Sequence, residues 1–140
     1  MKPTLLLFAH PALERSVANA AMLEAVRDLE HVTVHDLYEA YPDFLIDVPR
    51  EQELVEANER IVIQHPFFWY STPAIVKEWF DLVLEFGWAY GEGGDRLHGK
   101  SVLSAITTGG SKEAYCAEGH NSTPFPSCFA RSSRPRHFAE

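Results

Sequence analysis

The chain has 140 residues, 46% of them hydrophobic and 23% charged, with 12 Lys plus Arg against 20 Asp plus Glu and a net charge of −8. This is the composition of one soluble globular domain, and it excludes both extended disorder and a second full domain. The acidic balance argues against a nucleic-acid surface and against anionic lipid. No apolar run approaches the roughly 20 residues that span a bilayer, and the apolar stretch in MKPTLLLFAHP is too short for a secretory signal, so a cytoplasmic location is expected. Cys116 and Cys128 lie 12 residues apart with no CxxC spacing and no histidine cluster. They read as reduced thiols, with neither a zinc site nor a disulfide framework signalled.

In chain order, residues 4–9 form a continuous apolar run between Pro3 and His10-Pro11, the pattern of a strand buried on both faces. From Ser16, a good N-cap residue, the period lengthens. Val17, Ala20, Ala21, Leu23, Ala25, Val26 and Leu29 interleave with polar residues, which predicts a helix. Val32, Val34 and Leu37 then alternate with Thr33, His35 and Asp36, a shorter strand nearer a sheet edge. Residues 38–49 read as an aromatic-rich loop and 50–58 as a polar helix. Ile61-Val62-Ile63 marks a third buried strand over 60–64, ending before His65-Pro66. Residues 74–86 predict a strong amphipathic helix. Ile75, Val76, Trp79, Phe80, Leu82, Val83 and Phe86 form its inward stripe, and Lys77, Asp81 and Glu85 an outer row four apart. Residues 100–107 make a fourth strand, ending in Thr107-Thr108-Gly109-Gly110.

The order β-α-β-(α)-β-α-β predicts an α/β fold, a three-layer α/β/α sandwich on a parallel sheet, because parallel neighbours need helical crossovers. Residues 121–140 contain no Leu, Ile or Val, and their three Arg against one Glu leave −10 for the first 120 residues. The sheet is therefore expected to be truncated to four strands, with a domain over 1–121 and an irregular tail over 122–140.

Open parallel sheets bind ligands outside the carboxyl ends of their strands, a rule that selects segments 10–19, 65–72 and 107–120. The first runs into a helix N-terminus. There free N–H groups, the helix dipole and the side chains of His10, Ser16 and Asn19 suit a phosphate, although neither GxGxxG nor GxxxxGK[ST] is present. An ordinary loop with Ser16 as a plain N-cap fits the same residues. In the second, Phe67, Phe68, Trp69 and Tyr70 suit a flat apolar ligand, a subunit contact or a local core beneath the loop. The third is a glycine turn that lets backbone approach a ligand or simply ends a strand, followed by Tyr115 and His120, which could move protons or be solvated. Together the three segments describe a cleft for a phosphate-bearing planar cofactor such as flavin mononucleotide.

AHP with SVAN, QHPFFWYSTPAIVKEWFD and GKSVLSAITTGG resemble the flavodoxin-like NAD(P)H:quinone oxidoreductases over about residues 3–121. HDLYEAYPDFLID, FGWAYGEGG and LHGK are most similar to the bacterial ancillary proteins of glutathione-gated potassium-efflux antiporters. The resemblance implies a cofactor site made of His10, Ser16, Val17, Ala18, Asn19, Pro66, Phe67, Phe68, Trp69, Tyr70, Thr107, Thr108, Gly109 and Gly110. It implies Tyr115 and His120 as the proton-handling pair. It further implies FMN, with FAD as the lesser alternative, and NADH or NADPH as co-substrate. The implied activity is ping-pong two-electron reduction of a quinone by a homodimer. The alternatives are a regulatory subunit of the antiporter at the cytoplasmic face of the inner membrane, or a truncated inactive member of the family. After Asn121 the chain departs from the family pattern, as a shifted reading frame or a truncation would produce.

Overall fold

A computed structural model of the chain describes residues 1–116. Its sheet has four parallel strands in the order β2-β1-β3-β4, with β1 at Thr4–Phe8, β2 at Val32–Asp36, β3 at Arg60–Pro66 and β4 at Ser101–Thr107. The helices are α1 (Val17–Glu24), α2 (Leu37–Ala40), α3 (Val48–Glu56) and α4 (Ala74–Val83). Single 3-10 turns at Leu13–Arg15 and Lys112–Tyr115 follow β1 and β4. All five residues of β1 are buried, as expected of the strand flanked on both sides, and β2 is the edge.

Successive residues of a strand point to opposite faces, so the register sorts the core. Leu5 pairs with Ile61 and Leu7 with Ile63, and these residues pack with Val55, Ile75, Trp79 and Val83 of α3 and α4. The other face carries Leu6, Val62, Gln64 and Ala105, which with Met22 and Val26 beside α1 line an apolar cavity of about 300 Å³. Helices thus lie on both faces, and the four-stranded α/β/α arrangement is the one the element order predicts.

Several boundaries differ for identifiable reasons. The first helix, expected to run to Leu29, ends at Glu24 and continues as turns closed by bonds spanning three residues, such as Val26 N–H to Leu23 O at 3.2 Å. None of the seven apolar residues whose spacing predicts the helix is fully buried, and Val17 is 88% exposed. Small alanines bury too little area to hold the helix against the sheet. The fully buried residue of α1 is Asn19.

The loop expected at 38–49 begins with the one-turn helix α2, whose cap is Asp36: its carboxylate accepts from Tyr38 N–H and Glu39 N–H. Strand β3 runs on through His65 and Pro66 because β4 keeps pairing with it as far as Thr107. Helix α4 stops three residues short of Phe86, where Gln52 Nε2 donates to Val83 O (3.1 Å) and to Glu85 Oε2 (2.9 Å). That side chain meets a carbonyl the helix end leaves unpaired. Phe86, beyond the helix end, is exposed rather than inward, and so is Leu82 within α4, while Lys77 pairs with Asp81 as the spacing predicts.

One polar cluster lies inside the core. Glu51 of α3 is fully buried, and its carboxylate accepts from His35 Nε2 (2.7 Å), Tyr41 Oη (2.5 Å) and Trp79 Nε1 (2.8 Å). It thereby ties α3 to β2, to the end of α2 and to α4.

Candidate functional site at the strand ends

Because the sheet is parallel, β1, β3 and β4 all end on one side, and the segments that follow Phe8, Pro66 and Thr107 meet there. The first turns through Leu13–Arg15 into Ser16, which is extended (φ −118°, ψ 94°) and caps α1. Its Oγ accepts from Asn19 N–H at 3.4 Å and from Asn19 Nδ2 at 3.0 Å. The N–H groups of Val17 and Ala18 stand in the first turn, where a helix supplies no internal acceptor, and none is present among the described residues. His10 Nδ1 accepts from Ala12 N–H at 3.1 Å, which leaves the proton of the neutral ring on Nε2 as a donor. Arg15 is exposed one residue before the cap, a cation that reading the loop by its N-cap alone passes over.

Asn19 connects this segment to the other two strands. Its Nδ2 donates to Thr107 Oγ1 at the end of β4 (2.7 Å) as well as to Ser16 Oγ. Gln64 of β3, buried, donates from Nε2 to Asn19 O (3.1 Å) and Oδ1 (3.4 Å). Gln64 is absent from the residues singled out in the sequence. Its signal is an uncharged polar residue closing the apolar run Ile61-Val62-Ile63. The side-chain donors of Asn19, expected to face a phosphate, are already engaged within the protein.

The second segment joins the third through Phe67 N–H, which donates to Thr107 O at 2.7 Å. Phe68 and Ser71 then exchange backbone bonds of 3.1 and 2.9 Å around Trp69 and Tyr70, whose φ values are +48° and +62°. Two consecutive positive φ angles are the I′ turn pattern, which favours Asn-Gly and is strained for aromatic side chains. The turn divides the four aromatics. Phe67 is buried with its ring edge-on to Tyr70 and Tyr115, at centroid distances of 5.9 and 6.1 Å. Phe68 and Tyr70 are partly exposed, and Phe68 meets His10 at 6.3 Å. Trp69 is 94% exposed. The local-core reading holds for Phe67, while Phe68, Trp69 and Tyr70 stand exposed above it.

In the third segment Thr108 Oγ1 donates to Gly110 O at 3.0 Å, and Gly110 lies against the Tyr115 ring. A Cβ there would stand 2.9 Å from Tyr115 Cε2, closer than side chains approach, so this close contact requires the glycine. Tyr115 is half-buried in the turn Lys112–Tyr115. His120 and the expected domain boundary at residue 121 lie outside the described residues. Beside the site, His65 is buried and its Nδ1 donates to Pro66 O at 2.8 Å. Burial pulls its pKa down, only partly offset by that hydrogen bond, which favours the neutral ring.

The donor set is that of an anion cradle: two backbone N–H groups at a helix N-terminus, the Ser16 hydroxyl and His10 Nε2–H. A phosphate fits it, and an exposed aromatic platform on the neighbouring segment fits a planar ring.

A model of the family described as having the flavodoxin-like fold matches residues 2–128. The glutathione-regulated potassium-efflux system ancillary protein KefG of Yersinia enterocolitica is 54% identical over 120 residues, 86% of this chain and 65% of that protein. The chain thus spans slightly under two thirds of that relative's length. General stress protein 14 of Treponema denticola, solved in complex with FMN, superposes with a TM-score of 0.88 at 36% identity, covering 91% of this chain and 74% of the other. An NADPH-quinone reductase from P. pentosaceus superposes at 0.82 with 30% identity, covering 94% and 74%.

Proposed function

The chain belongs to the family with the flavodoxin-like fold, and from that premise we propose that it is an FMN-dependent NAD(P)H:quinone oxidoreductase. The observation that carries this reading is the tying of all three strand-end segments into one site by Asn19, Thr107 and Phe67. Likeness to an FMN-bound protein and to an NADPH-quinone reductase supplies the cofactor and the substrate classes. FMN held there would supply two-electron chemistry, a hydride taken from NAD(P)H being handed on with a proton to give the quinol, so that donor and acceptor would use the pocket in turn.

The residues of the chain bind and orient. Ser16, the N–H groups of Val17 and Ala18, and His10 Nε2–H hold the phosphate at the positive end of α1. Pro66, Phe67, Phe68, Trp69 and Tyr70 form the apolar side of the pocket, with Phe67 as the fixed base beneath the strained turn. Thr107, Thr108, Gly109 and Gly110 bring backbone and hydroxyl groups to the other side. Tyr115 holds a proton near the reacting face, with His120 as its companion. Adding FMN to the purified protein, removing the excess and recording the visible spectrum tests the site. About one equivalent of flavin per chain, followed by NAD(P)H-dependent quinone reduction, is the expected result, and no retained flavin refutes it.

The 54% identity to KefG favours a second reading, a regulatory ancillary subunit of a potassium-efflux antiporter that acts from the cytoplasmic face of the inner membrane. No helix among the described residues is long and apolar enough to cross a membrane. Co-purification with the antiporter tests this. Homodimerisation is part of the same proposal and is read from sedimentation of the loaded protein.

A further inference from the structure

We infer that Asn19 is a positioning residue that sets the hydrogen-bond polarity of the site, a role resting on the flavin reading above. A backbone carbonyl can only accept a hydrogen bond. Gln64 Nε2 lies 3.1 Å from Asn19 O, so the glutamine presents its NH₂ group there. The same NH₂ faces Asn19 Oδ1 at 3.4 Å. Asn19 must then turn its own NH₂ the other way, into Ser16 Oγ (3.0 Å) and Thr107 Oγ1 (2.7 Å).

Both hydroxyl oxygens receive a hydrogen from Asn19, and each keeps one hydrogen of its own to donate elsewhere. Both residues are only half-buried, whereas Asn19 is fully buried. Asn19 therefore converts two ambivalent hydroxyls, one on the α1 segment and one on β4, into paired outward donors. A ligand rich in acceptor oxygens, such as the phosphate and ribityl chain of FMN, is what such a pair recognises. The carboxamide itself touches no ligand and acts through Ser16 and Thr107.

Asn19→Asp reverses the polarity at nearly constant shape, because an oxygen that only accepts draws both hydroxyl hydrogens inward. FMN affinity is read by quenching of flavin fluorescence in the wild type, Asn19→Asp, the double variant Ser16→Ala/Thr107→Val, and the triple variant, with melting curves to confirm folding. The expected loss for Asn19→Asp is roughly tenfold or more in the wild-type background. In the double-variant background, where there are no hydroxyls left to orient, the loss shrinks to about twofold or less. An equal loss in both backgrounds means that the new charge simply repels the phosphate and overturns the inference, as does unchanged affinity in Asn19→Asp. Should Asn19→Asp fail to fold, Thr107→Ser and Thr107→Val carry the test. Serine is expected to keep affinity and valine to lose roughly tenfold, and equal binding by both overturns the inference. A wild type that retains no FMN overturns the flavin reading itself, a result separable from these because it precedes every variant.

Discussion

Glu51→Ala is expected to be among the most destabilising single changes in this chain. The carboxylate is fully buried and accepts three hydrogen bonds, from His35, Tyr41 and Trp79. Alanine strands all three donors in a core that excludes water, and each unpaired buried donor costs about 1–3 kcal/mol. Removing the buried charge refunds part of its desolvation, so the net falls near the roughly 3–5 kcal/mol typical of a broken buried ionic contact. At roughly 4 °C per kcal/mol for a domain of this size, the melting temperature should drop by about 15 °C. Glu51→Gln is milder. Its carbonyl can face Trp79 Nε1, and its NH₂ can face His35 and Tyr41, both of which are able to accept. Burial raises the Glu51 pKa, but the hydrogen bonds from His35, Tyr41 and Trp79 outweigh it and hold the group below its ordinary 4.5. A lowered acid stabilises the fold above its unfolded pKa and loses that contribution as pH falls through the native value. The wild type should therefore lose stability below about pH 4.5 through this group, and Glu51→Gln should lack that part of the acid limb. Thermal melts by circular dichroism from pH 3 to 8 decide the matter. A drop of less than about 4 °C for Glu51→Ala at pH 7, or superimposable acid limbs for wild type and Glu51→Gln, would refute the reasoning.

Trp69→Ala should leave the melting temperature within about 2 °C, since the side chain is 94% exposed, while weakening flavin retention through lost stacking area. Equilibrium dialysis with FMN checks it. Tyr115→Phe should slow turnover more than binding, seen as a lower kcat with little change in flavin content. Gly110→Ala drives a Cβ to 2.9 Å from the Tyr115 ring and should displace it. Retained FMN with reduced quinone turnover is the expected pair of readings. Ser16→Ala removes both the α1 cap and a proposed phosphate donor. It should cost about 1 kcal/mol of stability by chemical denaturation and a larger share of FMN affinity.

The parts of the fold that were legible are those where periodicity and burial agree. Ile61 and Ile63 sit inward from β3, and Ile75, Val76, Trp79 and Val83 from α4, because their spacing matches the face that contacts the sheet. In α1 the period marks the helix but not a buried face. Its alanines satisfy the pattern without supplying area, and the structure buries Asn19 instead, where three hydrogen bonds outweigh the cost of covering an amide. The end of α4 was illegible because the group that meets its last carbonyls, Gln52, is remote in sequence. Fold rules did locate the site, since strand ends of a parallel sheet converge whatever their motifs. They did not reveal that Asn19 spends its donors inside the protein, which depends on Gln64 and Thr107 arriving from two other strands.

The aromatic turn shows the same division between pattern and geometry at the level of strain. Four consecutive aromatics announce an apolar surface, but nothing in their order says which one faces solvent. That is decided by Phe67 N–H, held on Thr107 O, and by the paired backbone bonds between Phe68 and Ser71. Those three bonds force the two residues between them into left-handed conformations, each at a cost on the order of 1 kcal/mol or more for a side chain with a Cβ. Glycine at either position would relieve the strain, at Tyr70 with loss of the ring contact to Phe67. The turn sets Tyr70 edge-on to the buried Phe67 ring while leaving Trp69 almost wholly exposed. A flat ligand over the ring would bury the apolar area that Trp69 now exposes, so it is the exposed ring, and not the backbone strain, that a planar cofactor at this end of the sheet would account for.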